Sequence, residues 1–463
     1  MRASADRNFS PQPAAFVRRP VIGYLQAMRR DPLGFFSEMA KRGGDVIPLR
    51  IGLETIQLIV HPDHLKHVFQ DNRDNYVRSK YYRHLFPFLG KGLFSLEGPE
   101  WKTQRANSQP AFSGPNLVNM VAEMAAGIHG GVARLRQAAQ DGRVVDFSKE
   151  AFRLKLDIVM RALFSTRFEP GDFETVLESL TVILREIDRR VWAIATLPAW
   201  LPTRRNRTLS SALAQLDRII DAIVENRLED SDERGDLLDR LIAAEKAAGW
   251  TEKSAASIRD QMVSLIVAGH ETSANALSWL VYELAARPGI VQRLRQEASQ
   301  VLADGLSFQT FQRLAYAQQV FKEILRLYPP LWTFSRQALA PDALGGTRLA
   351  KGAIVMISPY ILHRHPRFWE DPLRFEPERF SPEQEERRHR FLYLPFGAGP
   401  HLCLGSRFAM LEGVLALASF VQAFDFDLVE KTGVAPEPMT TLRPSRPVWV
   451  KIRAVASAKP LAA

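Results

Sequence analysis

One sulfur, one carboxylate–alcohol pair and one carboxylate–guanidinium pair stand out as residues able to do chemistry. The sulfur is Cys403, the only cysteine in the chain, set in the stretch FGAGPHLCLG from Phe396 to Gly405. Gly397, Gly399 and Gly405 permit positive backbone dihedrals and the close approach of a flat object, and Pro400 stiffens the turn. A helix is expected just after the sulfur, so its free N–H groups and positive dipole end favour a thiolate there. Without that setting a lone cysteine is usually an inert small hydrophobe; with it, the thiol suits a nucleophile or a metal ligand. The carboxylate–alcohol pair is Glu271-Thr272, in AGHET from Ala268 to Thr272. Thr272 shares a helix face with Ala268, and its hydroxyl can bond the preceding turn's carbonyl as an ordinary packing feature. Glu271 is harder to dismiss, because a buried carboxylate is costly unless used or paired. The carboxylate–guanidinium pair is Glu323 and Arg326, in KEILRLYPP. Their spacing alone makes no more than a surface ion pair.

These groups need elements to hold them. The segment from Ser257 to Ala286 has no internal proline and is closed by Arg287-Pro288, because proline disfavours helix at the residue before it. Its apolar residues, Met262 to Ala268 and Ala274 to Leu280 among them, cover most of the circumference. A helix of that kind is a buried central helix. SRFAMLEGVLALASFVQAF, after Gly405, reads as another strong helix, as do NLVNMVAEMAAGIHGGVARLRQAAQ and RTLSSALAQLDRIIDAIVENRL. EDSDERGD is a charged loop between helices. VIPLRIGLETIQLIV reads as two short strands around a Gly52–Glu54 turn, and strand pieces such as AIVMIS alternate with turns beyond Pro329. The expectation is a loose arm over residues 1–20 and one mainly α domain with a small β portion over 21–463.

Composition narrows the field. A single cysteine excludes an internal disulfide and any multi-cysteine zinc or iron–sulfur centre. The formal charge of +10 comes without a lysine/arginine run dense enough for a nucleic-acid arm. Nowhere do apolar residues run long enough to span a bilayer, and the first residues lack the apolar core of a signal peptide. The chain reads as soluble and cytoplasmic.

FGAGPHLCLG resembles the haem-ligand loop of cytochrome P450 enzymes, where Phe396, Gly399, Cys403 and Gly405 hold the fixed places. The resemblance implies haem b lying between the long central helix and the cysteine loop, with Cys403 as the axial iron ligand. Thiolate ligation that favours O–O cleavage is the family property carried over with it. Three further stretches agree in order. Glu323 and Arg326, with Arg379 of PERF (Pro377–Phe380), resemble the family's structural Glu–Arg–Arg triad. AGHET resembles its acid–alcohol pair, making Glu271 and Thr272 catalytic proton carriers; Ala268 and Gly269 would clear space for the haem face, and His270 has no assigned role. EWKTQRANSQPAF places Trp101 and Arg105 as propionate contacts, joined by Arg336 and His401. Many relatives carry arginine at the place of His401, so that contact would be weaker and pH-sensitive.

The implied function is a monooxygenase that inserts one oxygen atom from O2 into an apolar substrate, by hydroxylation or epoxidation of a fatty acid, terpenoid or similar lipid. No GxGxxG and no flavin domain is visible, so two electrons would come from an external ferredoxin or flavodoxin with its reductase. Arg387, Arg388 and Arg390 could steer an acidic partner. The substrate pocket is expected from Tyr81, Tyr82, Phe86, Phe88, Leu93, Trp332, Thr333, Phe334 and Thr441, apolar with few polar anchors; Arg78, Tyr81 or Arg83 could hold a substrate carboxylate. Two alternatives stay open: a peroxide-using or peroxide-rearranging enzyme of the same fold, although such lines typically alter the acid–alcohol pair, and a haem-binding sensor without turnover.

Overall fold

Three- and four-residue apolar spacing fills most of the chain, and the computed structural model is accordingly mostly helical, with small sheets. It describes residues 21–51, 54–169, 171–191, 201–230, 232–430 and 433–455. The arm expected over residues 1–20 and the tip of the Gly52 turn lie outside them. The helices that frame the site are α1 (Pro62–Lys66), α2 (Gly98–Ser108), α3 (Phe147–Phe164), α4 (Asp172–Val191), α5 (Ser254–Ala285), α6 (Ala315–Leu327) and α7 (Ser406–Ala423).

Helix α5 is the central helix, and it begins three residues before the expected start. Between Gln261 and Val281 every residue is buried except Ala268, Gly269 and Thr272. A helix enclosed all round, yet open at three positions in its middle, borders an internal gap. Gly269 belongs to a different contact from the one expected: a Cβ there would lie 3.1 Å from Cγ2 of Val159. Its missing side chain lets α3 cross α5 closely and does not clear the gap.

The main sheet has five strands, β1 (Val46–Ile51), β2 (Glu54–Ile59), β3 (Tyr76–Arg78), β4 (Phe334–Ala338) and β5 (Ile354–Ile357), in the order β1-β2-β5-β4-β3. Strands β2 and β5 pair in parallel and the others antiparallel. Period-two alternation buries Phe334, Arg336 and Ala338 of β4 on one face. The register sets Arg336 directly opposite Arg78 of β3. A second core, with Phe69, Phe334, Phe391, Leu394 and Ala398, joins this sheet to the cysteine loop. Among the described residues no helix is long and apolar enough to cross a membrane.

Candidate active site

The cysteine loop is built by its own backbone. Gly397 and Gly399 take φ of 71° and 70°, left-handed values that favour glycine. Gly405 departs from the expectation: its φ is −87°, and it caps α7. The Cys403 N–H donates to the Phe396 carbonyl at 3.0 Å, and Leu402 N–H to Gly399 O at 3.0 Å. At Gly399 a Cβ would stand 2.8 Å from the Phe69 carbonyl, so the loop closes tightly against that segment. Cys403 is exposed by surface area, yet protein crowds round it closely enough for burial to push its thiol pKa up. Both hold together for a sulfur facing an enclosed space. The Gly405 N–H and the Arg105 charge pull the thiol pKa the other way. Burial outweighs them, which reverses the lowered pKa expected from the helix end alone.

Three guanidinium groups border the loop. Arg105 Nη1 donates to Leu402 O at 2.8 Å. Arg336 is buried; its Nη1 donates to the Ser335 carbonyl at 3.0 Å, and the Tyr82 hydroxyl is a further partner of its guanidinium. Arg78 Nη1 donates to the carbonyls of Leu93 and Leu96, at 3.0 and 2.6 Å. Burial lowers the pKa of all three, that of Arg78 to about 10. None of the three is within ion-pairing distance of a carboxylate among the described residues. Like charges opposed across a strand pair are destabilising by themselves, and Glu97, the carboxylate whose charge acts on Arg78 and Arg336, offsets their burial only in part. They suit an anionic group brought in from outside, as the two carboxylates of a haem would be. Arg78 and Tyr82 were expected at the substrate; they belong to this cluster, with the Arg78 guanidinium over the Tyr82 and Trp101 rings.

His401 and Trp101 lie in the same place, their rings 4.1 Å apart. The imidazole Nε2 is 3.2 Å from Glu97 Oε2, so His401 already has an anionic neighbour. Burial would raise the Glu97 carboxyl, but His401 and the backbone N–H groups of Arg78 and Gly98 outweigh it and hold it down to about 2. Nothing in the sequence flagged Glu97.

Across the gap stands the acid–alcohol pair. Thr272 Oγ1 donates to Ala268 O at 2.7 Å and is one of the three open positions of α5. Glu271 points elsewhere, into buried surroundings. Thr441 Oγ1 donates to its Oε1 at 2.9 Å, and Asn275 Nδ2 donates to Thr441 Oγ1 at 3.0 Å. Burial pushes the Glu271 carboxyl up to about 7, with the Thr441 hydrogen bond opposing and the Asp188 charge assisting. Asp188, buried on α4, accepts from the Thr440 N–H and lies 3.8 Å from Arg443 Nη1. His270 turns away to Phe152 and the Ile266 carbonyl, and burial lowers it to about 4.

The Glu–Arg pair is fully enclosed. Arg326 Nε and Nη2 meet both oxygens of Glu323 at 2.6 and 2.8 Å, and neither side chain has exposed surface. Arg326 also donates to the carbonyls of His363, Pro372 and Arg374. Arg379 completes the trio loosely, its Nε 3.8 Å from Glu323 Oε1. His363, which sequence reasoning passed over, links this group to the cysteine loop: Nε2 accepts from Leu394 N–H at 2.8 Å, and Nδ1 lies 3.3 Å from Arg326 O.

The expected pocket is only partly assembled. Tyr81 is exposed and bonds Glu54 at the surface. Trp332 is core, packed on Phe36 with its Nε1 on Met439 O. Phe334 joins the core beneath the sheet. Phe88 is buried under Arg190, and Leu93 clusters with Leu96 and Trp101. Thr441 is occupied by Glu271. Phe86 and Thr333 keep partial exposure. These aromatics were misplaced because lining and core demand the same residue types. Arg388 is also withdrawn from its expected role: it lies over the Trp369 and Phe380 rings, leaving Arg387 and Arg390 exposed. A groove of about 430 Å³ on the loop's outer side is lined by Phe69, Arg73, Arg390, Gly397, Gly399 and Leu402 among others.

Comparison with known proteins places this geometry. The sequence model for Cytochrome P450 matches residues 13–452. Cyclooctatin synthase of Streptomyces melanosporofaciens is 33% identical, over 91% of this chain and 92% of its own length. Cyclooctat-9-en-7-ol 5-monooxygenase of the same organism is 30% identical, over 91% and 89%. Pentalenene oxygenase of Streptomyces avermitilis is 30% identical, over 94% and 96%.

Proposed function

The chain belongs to the cytochrome P450 family, and from that premise we propose that Cys403 would hold the haem iron through its sulfur, and that Arg78, Arg105 and Arg336 would receive the propionates. The protein is a haem-thiolate monooxygenase with haem b as cofactor, acting on an apolar substrate. When bound, the haem supplies the activation of O2 that puts one oxygen atom into the substrate and turns the other into water, with two electrons from a redox partner. The observation that carries the site assignment is the facing pair of Arg336, buried, and Arg78, half-buried, which Glu97 offsets only in part, beside a cysteine that faces an enclosed space. The alternative of a sensor needs no acid–alcohol pair at the gap.

The chain's own residues then divide the work. The three arginines compensate the charge that a haem carries into the interior. Trp101 and His401 pack at the same edge. A carboxyl near 7 can both hold and release a proton at neutral pH, which suits Glu271 to proton delivery. Thr441 fixes one of its oxygens in buried surroundings, so a rotation of the Glu271 side chain would carry the proton toward Thr272. Thr272 presents a hydroxyl at the gap itself and orients what binds there.

For the substrate class we put a terpenoid first, since two relatives are named for oxygenating cyclooctat-9-en-7-ol and pentalenene. An acidic ferredoxin fits the outer groove, where Arg73 and Arg390 flank exposed Leu402. A cytoplasmic location agrees with a chain that forms no internal disulfide. The test is spectroscopic. Cys403→Ser should abolish the thiolate-type carbon monoxide band of the reduced protein, and a retained band would mean another ligand. Turnover by a reductase system, but not by added peroxide, separates the monooxygenase from a peroxide-driven enzyme.

A further inference from the structure

Five of the ten histidines, His61, His64, His67, His365 and His389, gather away from the haem pocket around α1 and the edge of the sheet. We propose that His61, His64 and Asp45 form a binding site for a borderline divalent metal ion such as Zn2+, Ni2+ or Cu2+. One ligand atom from each lies within 4.8 Å of the other two. His64 Nε2 stands 3.8 Å from Asp45 Oδ2. Ligands about 2 Å from a tetrahedral ion are roughly 3.3 Å apart, so modest side-chain rotation would close the set. Two imidazoles and one carboxylate favour these ions over Mg2+ or Ca2+, which prefer oxygen-rich sites.

Two observations argue for a ligand here over a casual cluster. His64 Nε2 is buried as an atom yet has no hydrogen-bond partner, an orphan that calls for one. The outer contacts are those that orient metal ligands. Arg367 Nη1 holds Asp45 Oδ1 at 2.7 Å and so leaves Oδ2 for the ion. His61 Nδ1 accepts the cap bond from Asp63 N–H at 3.3 Å, which fixes where its ring stands. His61, His64 and Asp45 side chains are 17%, 19% and 33% exposed, so an ion can enter from solvent. Gly345 closes the far side: a Cβ there would stand 2.7 Å from His64 Nε2.

The test is titration of tag-free, haem-loaded protein with ZnCl2 or NiCl2, read by calorimetry, and with Cu2+, read by electron paramagnetic resonance. One equivalent should bind, with two imidazole nitrogens on Cu2+. His61→Ser, which keeps a helix-capping oxygen, and His64→Gln should each weaken binding about tenfold or more and leave one nitrogen on Cu2+. Unchanged haem spectra in both variants show that the fold is intact. No saturable binding, binding unchanged in both variants, or loss in only one of them would overturn the site.

Discussion

Two groups of buried arginine lie at either end of the same stretch of chain, and they differ in one respect. Arg326 has a carboxylate on two of its nitrogens and carbonyls on the rest. Arg336 and Arg78 face one another across two strands with carbonyls and aromatic rings at their guanidinium groups, and the charge of Glu97 offsets the two of them only in part. Burying a cation is tolerable when its donors are met and its charge is cancelled. The first group is complete as folded. The second is complete only with a further anion added, and it lies beside the one cysteine of the chain. Charge balance therefore separates a structural site from a ligand site where residue type and burial do not.

The largest effect should come from breaking the complete group. Glu323→Ala leaves Arg326 buried and unpaired, which costs about 3–5 kcal/mol, and chemical denaturation should show that loss in apoprotein and haem-loaded protein alike. Glu271 gives the next effect and is an intermediate case, an anion only partly compensated. Its carboxyl rises from 4.5 to about 7 on folding, so the folded state binds the proton more tightly than the unfolded one. Stability from this group is full below pH 4.5 and is lost as pH rises through 7. Glu271→Gln mimics the protonated form. Its melting temperature relative to the parent should climb between pH 5 and 8, by up to about 3 kcal/mol in stability; a flat difference would mean the carboxyl is solvated.

Breaking the incomplete group should give the opposite pattern to Glu323→Ala. Arg336→Leu removes a buried cation that Glu97 cancels only in part in the apoprotein, so the apoprotein should be as stable or more so. Haem should leave about 10–100-fold faster, the worth of one charged hydrogen bond. If the apoprotein weakens as much as it does in Glu323→Ala, the contrast between the groups fails.

What the sequence made legible follows the same division. Cys403, Thr272, Glu271, Glu323 and Arg326 were readable because their chemistry fixes both residue type and local spacing. Helices α5 and α7 were readable because apolar periodicity is local. Arg78 was not readable as Arg336's partner: the two meet only through strand register, which no short window of sequence records. His363 and Thr441 were missed or misassigned for the same reason, each reaching its partner across the fold. Trp332 went to the wrong place because an aromatic beside a predicted pocket is equally at home in a core. The lowered thiol pKa expected of Cys403 failed because a helix end was weighed without the burial around it.

The smallest effect tests whether Glu271 is tuned by what holds it. Thr441 and Thr440 are adjacent, yet they hold different acids, Glu271 and Asp188. Thr441→Val keeps the volume and removes the hydrogen bond that draws the Glu271 carboxyl down, so that carboxyl should rise further. A bond to a charged group is worth about 1.5 kcal/mol, or roughly one pH unit. Asp188→Asn removes a negative charge that draws Glu271 up, so its carboxyl should fall. The basic limb of product formation, where the protonated donor runs out, should move to higher pH in the first variant and lower pH in the second. Haem retention should be unchanged in both, since neither residue touches the arginines. Limbs that move together, or not at all, would place the titrating group somewhere other than Glu271.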